Sequence, residues 1–147
     1  MPPRIARVVV ERLTDVAPPP LPARATKGSA CFDLACAETV TLTRGRVTLV
    51  RTGLKMRAPR GTFLEVRPRS GLSTKGVLMA NAPGTIDRDY SGEVRVPLTY
   101  LFAGRYTIRA GDRIGQIRVV EDRAAEFVLG RVTPHRSRSG GFGSTGR

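Results

Sequence analysis

The sequence predicts an all-β fold, a sandwich, jelly roll or barrel, on three observations. Glycine (16) and proline (11) are spread so evenly through the 147 residues that no long helix fits between them. The stretches they leave are short and alternate apolar with polar residues, the period of a half-buried strand. Such stretches recur at short spacing, each closed by turn residues, as in sandwiches and barrels.

Taken in order, the N-terminus offers no apolar signal core, because Arg7, Glu11 and Arg12 interrupt the run that follows Met1-Pro2-Pro3-Arg4. No apolar run approaches the roughly 18 residues of a membrane span, so a cytoplasmic protein without membrane contact is expected. Ala17 to Pro22 reads as a stiff, extended connector. A strand ending near Leu34 carries an acid, Asp33, among apolar neighbours. Val40 and Leu42, then Val47 and Leu49, alternate with Thr and Arg around a turn at Arg44-Gly45. Thr62 to Val66 is the next strand, and Leu72 to Lys75 a short helical turn. Asp87 to Gly92 reads as a polar hairpin entering a strand whose Val94, Val96, Leu98 and Tyr100 face one way and Glu93, Arg95 and Thr99 the other. Tyr106 to Ile108 and Ile114 to Val120 follow, separated by Ala110-Gly111-Asp112. Residues 1–133 make one barrel domain. Residues 134–147 hold one bulky apolar side chain, Phe142, too little to order a segment by itself, and read as a flexible Gly-rich arm.

The composition, 40% hydrophobic and 25% charged, is that of a soluble globular domain. A formal charge of +13 is compatible with a nucleic acid partner, a polyphosphate substrate or simply a basic surface. The positive residues are scattered rather than striped, and 5% aromatic content supplies few platforms for stacking bases. Cys31 and Cys36, an odd distance apart, fall on opposite faces of a strand and are poorly placed to bridge; both read as buried thiols. The single histidine, His135, leaves no ligand set for zinc.

Five segments carry chemistry. Asp87, at a turn, is placed to orient water as a general base, although a solvated Asx turn has the same sequence. Arg69-Ser70-Gly71, ahead of the helical turn, combines a guanidinium, a hydroxyl and backbone N–H groups, the ingredients of a phosphate cradle. Gly140 to Gly146 is a Gly-rich stretch around Phe142, Ser144 and Thr145, able to wrap phosphates and cap a base; it lacks the Gly-Lys-Ser/Thr ending of a P-loop. Asp33 and Gln116 are polar residues set within apolar strands.

In this order and register, over about residues 25 to 147, the five segments resemble the five motifs of the trimeric dUTPase family. Asn81-Ala82-Pro83-Gly84-Thr85-Ile86-Asp87-Arg88-Asp89-Tyr90-Ser91-Gly92-Glu93, Pro68-Arg69-Ser70-Gly71-Leu72 and Gly140 to Gly146 carry the resemblance most strongly. It implies a jelly-roll subunit, a homotrimer with sites shared at the interfaces, and magnesium-dependent hydrolysis of dUTP to dUMP and pyrophosphate, which limits uracil incorporation into DNA and supplies dUMP for thymidylate synthesis.

The same resemblance implies the roles. Asp87 activates the water that attacks the α-phosphorus, and Tyr90 packs against deoxyribose where a 2′-hydroxyl would clash. Asn81 and the backbone through Gly84, Thr85 and Ile86 read the uracil edge. Arg69, Ser70 and Gly71 of a second subunit hold phosphates, Gln116 bonds the α-phosphate, and Asp33 helps hold the metal through water. Phe142 of a third subunit's arm covers the base, with Gly143, Ser144 and Thr145 around the γ-phosphate. Three positions depart from the family pattern: Cys31 where glycine is usual, Gly115 where alanine is usual, and Ser137 where a phosphate-binding arginine is usual. Arg136 and Arg138 flank Ser137 and are the candidates for that arginine's task.

Two other readings stay beside this one. The related dCTP deaminases share the fold but carry Arg-Ser-Ser in the second motif and lack the Asp-Tyr-Xaa-Gly turn found at Asp89 to Gly92. A regulatory protein on the same scaffold, binding nucleic acid through its arginines, is the reading from a different class.

Overall fold

Ten strands and one helical turn make up the computed structural model, which describes residues 5–133. They are β1 (Val9–Arg12), β2 (Phe32–Ala35), β3 (Val40–Thr43), β4 (Thr48–Arg57), β5 (Thr62–Arg67), α1 (Ser70–Ser73), β6 (Val77–Met79), β7 (Gly84–Ile86), β8 (Glu93–Tyr100), β9 (Arg105–Ile108) and β10 (Arg113–Glu121). One sheet runs β1-β4-β8-β6, a second β2-β10-β5-β7, and β3 pairs with β9 alone. Every pairing between these strands is antiparallel.

No named strand pairs with its immediate successor. Instead β2–β10, β3–β9, β4–β8 and β5–β7 nest one inside another, as in a long ribbon doubled back and rolled up. That is the jelly-roll arrangement. The innermost fold of the ribbon, between β5 and β7, holds α1, β6 and the turn through Asn81.

The binary pattern explains the packing. Val94, Val96 and Leu98 of β8 are buried against Val50, Leu54 and Met56 of β4, while Leu34, Leu64, Val66, Ile114 and Ile117 come from the facing sheet. Each such side chain contributes about 1.5–3 kcal/mol on burial, so the two apolar faces hold the layers together. Tyr100, read as the last member of that face, is only half-buried, and Glu93, read as outward-facing, is buried.

One expected turn forms between sheets, and one expected hairpin is corrected. The turn at Arg44-Gly45 forms, with Gly45 at φ 73° and the Arg46 N–H donating to the Thr43 carbonyl at 3.3 Å. Its flanking strands nevertheless go to different sheets, because β3 takes β9 and β4 takes β8. The Asp87 to Gly92 turn likewise links β7 of one sheet to β8 of the other, with the Tyr90 N–H donating to the Asp87 carbonyl at 3.1 Å. The helical turn starts two residues earlier than expected, at Ser70, because the Arg69 carbonyl accepts from both Leu72 and Ser73 N–H groups. Cys36 is buried as expected, whereas Cys31 is only partly so; neither is bridged.

Candidate active site

The rolled ribbon places the motif residues around two separate hollows. The first, about 310 Å³, is bordered by Asn81, Gly84, Thr85, Ile86, Asp87 and Tyr90, together with the start of β8. β7, which supplies three of these, is the last strand of its sheet and pairs only with β5: Leu64 opposes Ile86, Glu65 opposes Thr85 and Val66 opposes Gly84. In a strand paired on one side, alternate N–H and C=O groups point outward, so β7 presents backbone donors and acceptors to the hollow. A side chain at Gly84 would stand 3.0 Å from Met79 Cε and 3.1 Å from Asn81 Nδ2, and its absence lets Asn81 lie against the strand.

Tyr90 is fixed where it stands. Its hydroxyl donates to the Glu93 carbonyl at 2.9 Å, and its ring lies over Gly92, where any side chain would collide with the phenol oxygen. The Asp87 carboxylate is exposed and makes no hydrogen bond or ion pair with the described residues, so it is free to hold a water. The backbone between Asp87 and Asp89 turns.

The second hollow, about 180 Å³, is bordered by Asp33, Arg69, Ser70, Gly71, Arg113 and Gln116. Arg69 Nε lies 3.3 Å from Asp33 Oδ1, and Arg113 Nη1 lies 3.3 Å from Asp33 Oδ2. Arg69 Nη1 also donates to the Arg113 carbonyl at 3.2 Å, and Gln116 Nε2 donates to the Pro68 carbonyl at 3.0 Å. One carboxylate thus aligns two guanidinium groups beside the exposed start of α1, a surface suited to phosphate. Arg113 was not singled out from the sequence, where it follows Gly111-Asp112 as an ordinary post-turn residue.

The two hollows share no bordering residue. Asp87 and the arginines therefore stand in different concavities of one chain. Arg136, Arg138, Phe142, Gly143, Ser144 and Thr145 lie outside the described residues. No group of three or more His, Cys, Asp or Glu side chains converges among the described residues, and no helix there is long and apolar enough to cross a membrane.

The model of the dUTPase family matches residues 17–146. The chain belongs to the dUTPase family. It is 47% identical over 119 residues to the deoxyuridine 5′-triphosphate nucleotidohydrolase of Solibacter usitatus, covering 80% of this chain and 81% of that protein. The corresponding protein of Anaeromyxobacter sp. is 46% identical over 143 residues, 95% of this chain and 97% of that one. Among solved structures, the dUTPase of Streptococcus mutans superposes with a TM-score of 0.75 at 28% identity, covering 80% of this chain and 98% of that one. The Staphylococcus bacteriophage 80alpha dUTPase, solved with dUPNHPP, gives 0.76 at 25% identity over 95% of this chain and 98% of that one. The all-β, dUTPase-like barrel expected from the motifs is the fold observed.

Proposed function

We propose that this chain hydrolyses dUTP to dUMP and pyrophosphate, in the cytoplasm, at sites that three copies build together. One observation carries the reading: the free edge of β7, Asn81, Asp87 and Tyr90 border one hollow, in a chain of the dUTPase family. In that hollow Asn81 and the outward backbone groups of Gly84, Thr85 and Ile86 read the uracil edge. Discrimination of this kind is strong, because cytosine would leave buried donors unpaired. Tyr90 packs against the deoxyribose and leaves no room for a 2′-hydroxyl. Asp87 accepts the proton of the water that attacks the α-phosphorus.

Phosphate oxygens go to the other hollow, on a neighbouring copy. There Arg69, with Ser70 and Gly71, offers positive charge and N–H groups, and Gln116 bonds the α-phosphate. A third copy's residues 134–147 close the site, with Phe142 on the base, Gly143, Ser144 and Thr145 at the γ-phosphate, and Arg136 or Arg138 in place of the usual arginine. The separation of the two hollows supports sharing between copies. So does the segment after β10, whose Phe127, Val128, Leu129 and Val132 expose apolar side chains that a lone chain leaves in water.

Magnesium fits this arrangement as a hydrated ion carried mainly by the substrate. Each Asp33 oxygen takes one arginine at 3.3 Å, which leaves lone pairs to accept from the ion's water shell. Mg²⁺ keeps several waters and is commonly held by one or two carboxylates and substrate phosphates. When bound, it neutralises charge on the triphosphate. The +13 formal charge draws the same polyanion inward.

The test is release of pyrophosphate from dUTP by the purified protein with Mg²⁺. Turnover of dUTP with little or none of dCTP, dTTP or UTP supports the reading; absence of dUTP turnover, or ammonia release from dCTP, refutes it.

A further inference from the structure

Glu93 opens β8 with a side chain only 6% exposed, and the reaction just described does not use its carboxylate. A buried carboxylate is tolerated only where donors surround it. Here Oε1 accepts from Arg51 Nε at 3.0 Å and from the Gly53 N–H at 2.9 Å; Oε2 accepts from Arg51 Nε and from Arg95 Nε, each at 3.0 Å. Arg51 reaches further, its Nη2 donating to both oxygens of Asp15 at 2.9 and 3.0 Å. These bonds hold its guanidinium charged, Glu93 contributing most and Asp15 next.

The location gives this cluster its meaning. The β4–β8 register shifts between Arg51 and Lys55, and Gly53, at φ 66°, lies in that shift. The Glu93 carboxylate fills the gap in the ladder and takes the N–H that the bulge leaves without a strand partner. It also separates Arg51 from Arg95, which stand directly opposite on the two strands and would otherwise repel. The backbone carbonyl of the same residue accepts the Tyr90 hydroxyl at 2.9 Å. Side chain and main chain of Glu93 therefore join the bulge, the N-terminal segment at Asp15 and the ring that borders the nucleoside hollow.

We propose that Glu93 is a positioning residue that sets the sugar selectivity of the site by fixing Tyr90 through the Asp15–Arg51–Glu93 chain. The proposal rests on the dUTP reading above. Loosening Glu93 frees the carbonyl that anchors the phenol, and the ring then makes room for a 2′-hydroxyl. The Asp87 carboxylate makes no bond to this network among the described residues, so the loss falls on KM and on selectivity more than on kcat.

Kinetics with dUTP and UTP test it on the whole protein, for the wild type, Glu93→Gln, Arg51→Met and the double variant. In Glu93→Gln the ratio of kcat/KM for dUTP to that for UTP is expected to fall about tenfold, chiefly through KM for dUTP, with kcat changed less than about threefold. Arg51→Met, which leaves Glu93 bonded to Gly53 and Arg95, is expected to lose about threefold. The double variant, with both charges gone, is expected to recover part of the selectivity lost in Glu93→Gln. Thermal melting of each variant is followed alongside. A lowered Tm with unchanged selectivity in Glu93→Gln overturns the proposal, because the cluster is then structural only. If Glu93→Gln does not fold, unchanged selectivity in Arg51→Met overturns it equally. A wild type that turns over dUTP while the variants keep full selectivity removes this inference alone; a wild type without dUTP turnover removes both readings.

Discussion

Asp33 and Gln116 stand directly opposite each other across β2 and β10, yet their side chains serve different neighbours. Asp33 aligns Arg69 and Arg113, while Gln116 ties down the carbonyl of Pro68, two residues before Ser70. The hollow that Arg69, Ser70 and Gly71 border is thus braced from one cross-strand pair.

Replacing Asp33 with Asn should therefore act on substrate binding first. Two guanidinium groups lose their common partner, and the expected effect is a rise in KM for dUTP of roughly tenfold, the equivalent of one charge-assisted hydrogen bond. The concentration of Mg²⁺ needed for half-maximal rate should rise with it if Asp33 also meets the hydrated ion. Steady-state kinetics at varied dUTP and varied Mg²⁺ measure both.

Asp87→Asn is expected to behave in the opposite way. The carboxylate is exposed and unpaired among the described residues, so Tm should move by little and KM should stay near the wild-type value. Loss of a general base should lower kcat by about 10²–10⁴. A variant that keeps the full rate would remove Asp87 from the chemistry.

Mixing chains tests the shared site. Asp87→Asn and Phe142→Ala subunits should each be impaired alone. Co-expressed in equal amounts, random trimers place an intact Asp87 and an intact Phe142 at about a quarter of the sites. Activity recovered to that order, in particles sized as trimers, supports sharing. Activity no greater than the average of the two single variants contradicts it.

Cys36 gives a prediction in pH. Burial, the largest influence, pushes its thiol above the ordinary value of 9.0, and the S–H donates to the Glu38 carbonyl. A raised folded-state pKa means that the folded form keeps its proton longer than the unfolded form. This contribution to stability is complete below pH 9.0 and declines as pH rises beyond it. Urea melts from neutral to alkaline pH should show that decline, and Cys36→Ala should flatten it. At neutral pH iodoacetamide should modify the partly exposed Cys31 well before Cys36.

The sequence revealed most where side-chain period or family spacing was informative. The buried face of Val94, Val96 and Leu98 follows from alternation alone, and the hollow beside β7 gathers the very residues that the Asn81 to Glu93 segment nominated. Partnership between strands was illegible, because Arg44-Gly45 has the chemistry of a hairpin turn whether or not its flanks pair. The short strands β1, β6 and β7 were missed: three residues each in β6 and β7 hold too little period to declare themselves, and β1 leaves three of its four residues exposed, so it has no buried face to alternate. Glu93 was misread for a different reason. Strict alternation sends it to water, whereas the bulge at Gly53 opens a space inside the sheet that only the three-dimensional pairing reveals.

The nesting of β2 with β10 has a consequence for biosynthesis. Phe32–Ala35 leaves the ribosome long before Arg113–Glu121 is made, so its apolar edge waits unpaired through most of translation. A topology with so few local pairings folds slowly and late. Nascent chains arrested before the last strand should therefore remain protease-sensitive, and the cell's supply of this protein should depend on chaperones that guard its first half until synthesis is nearly complete.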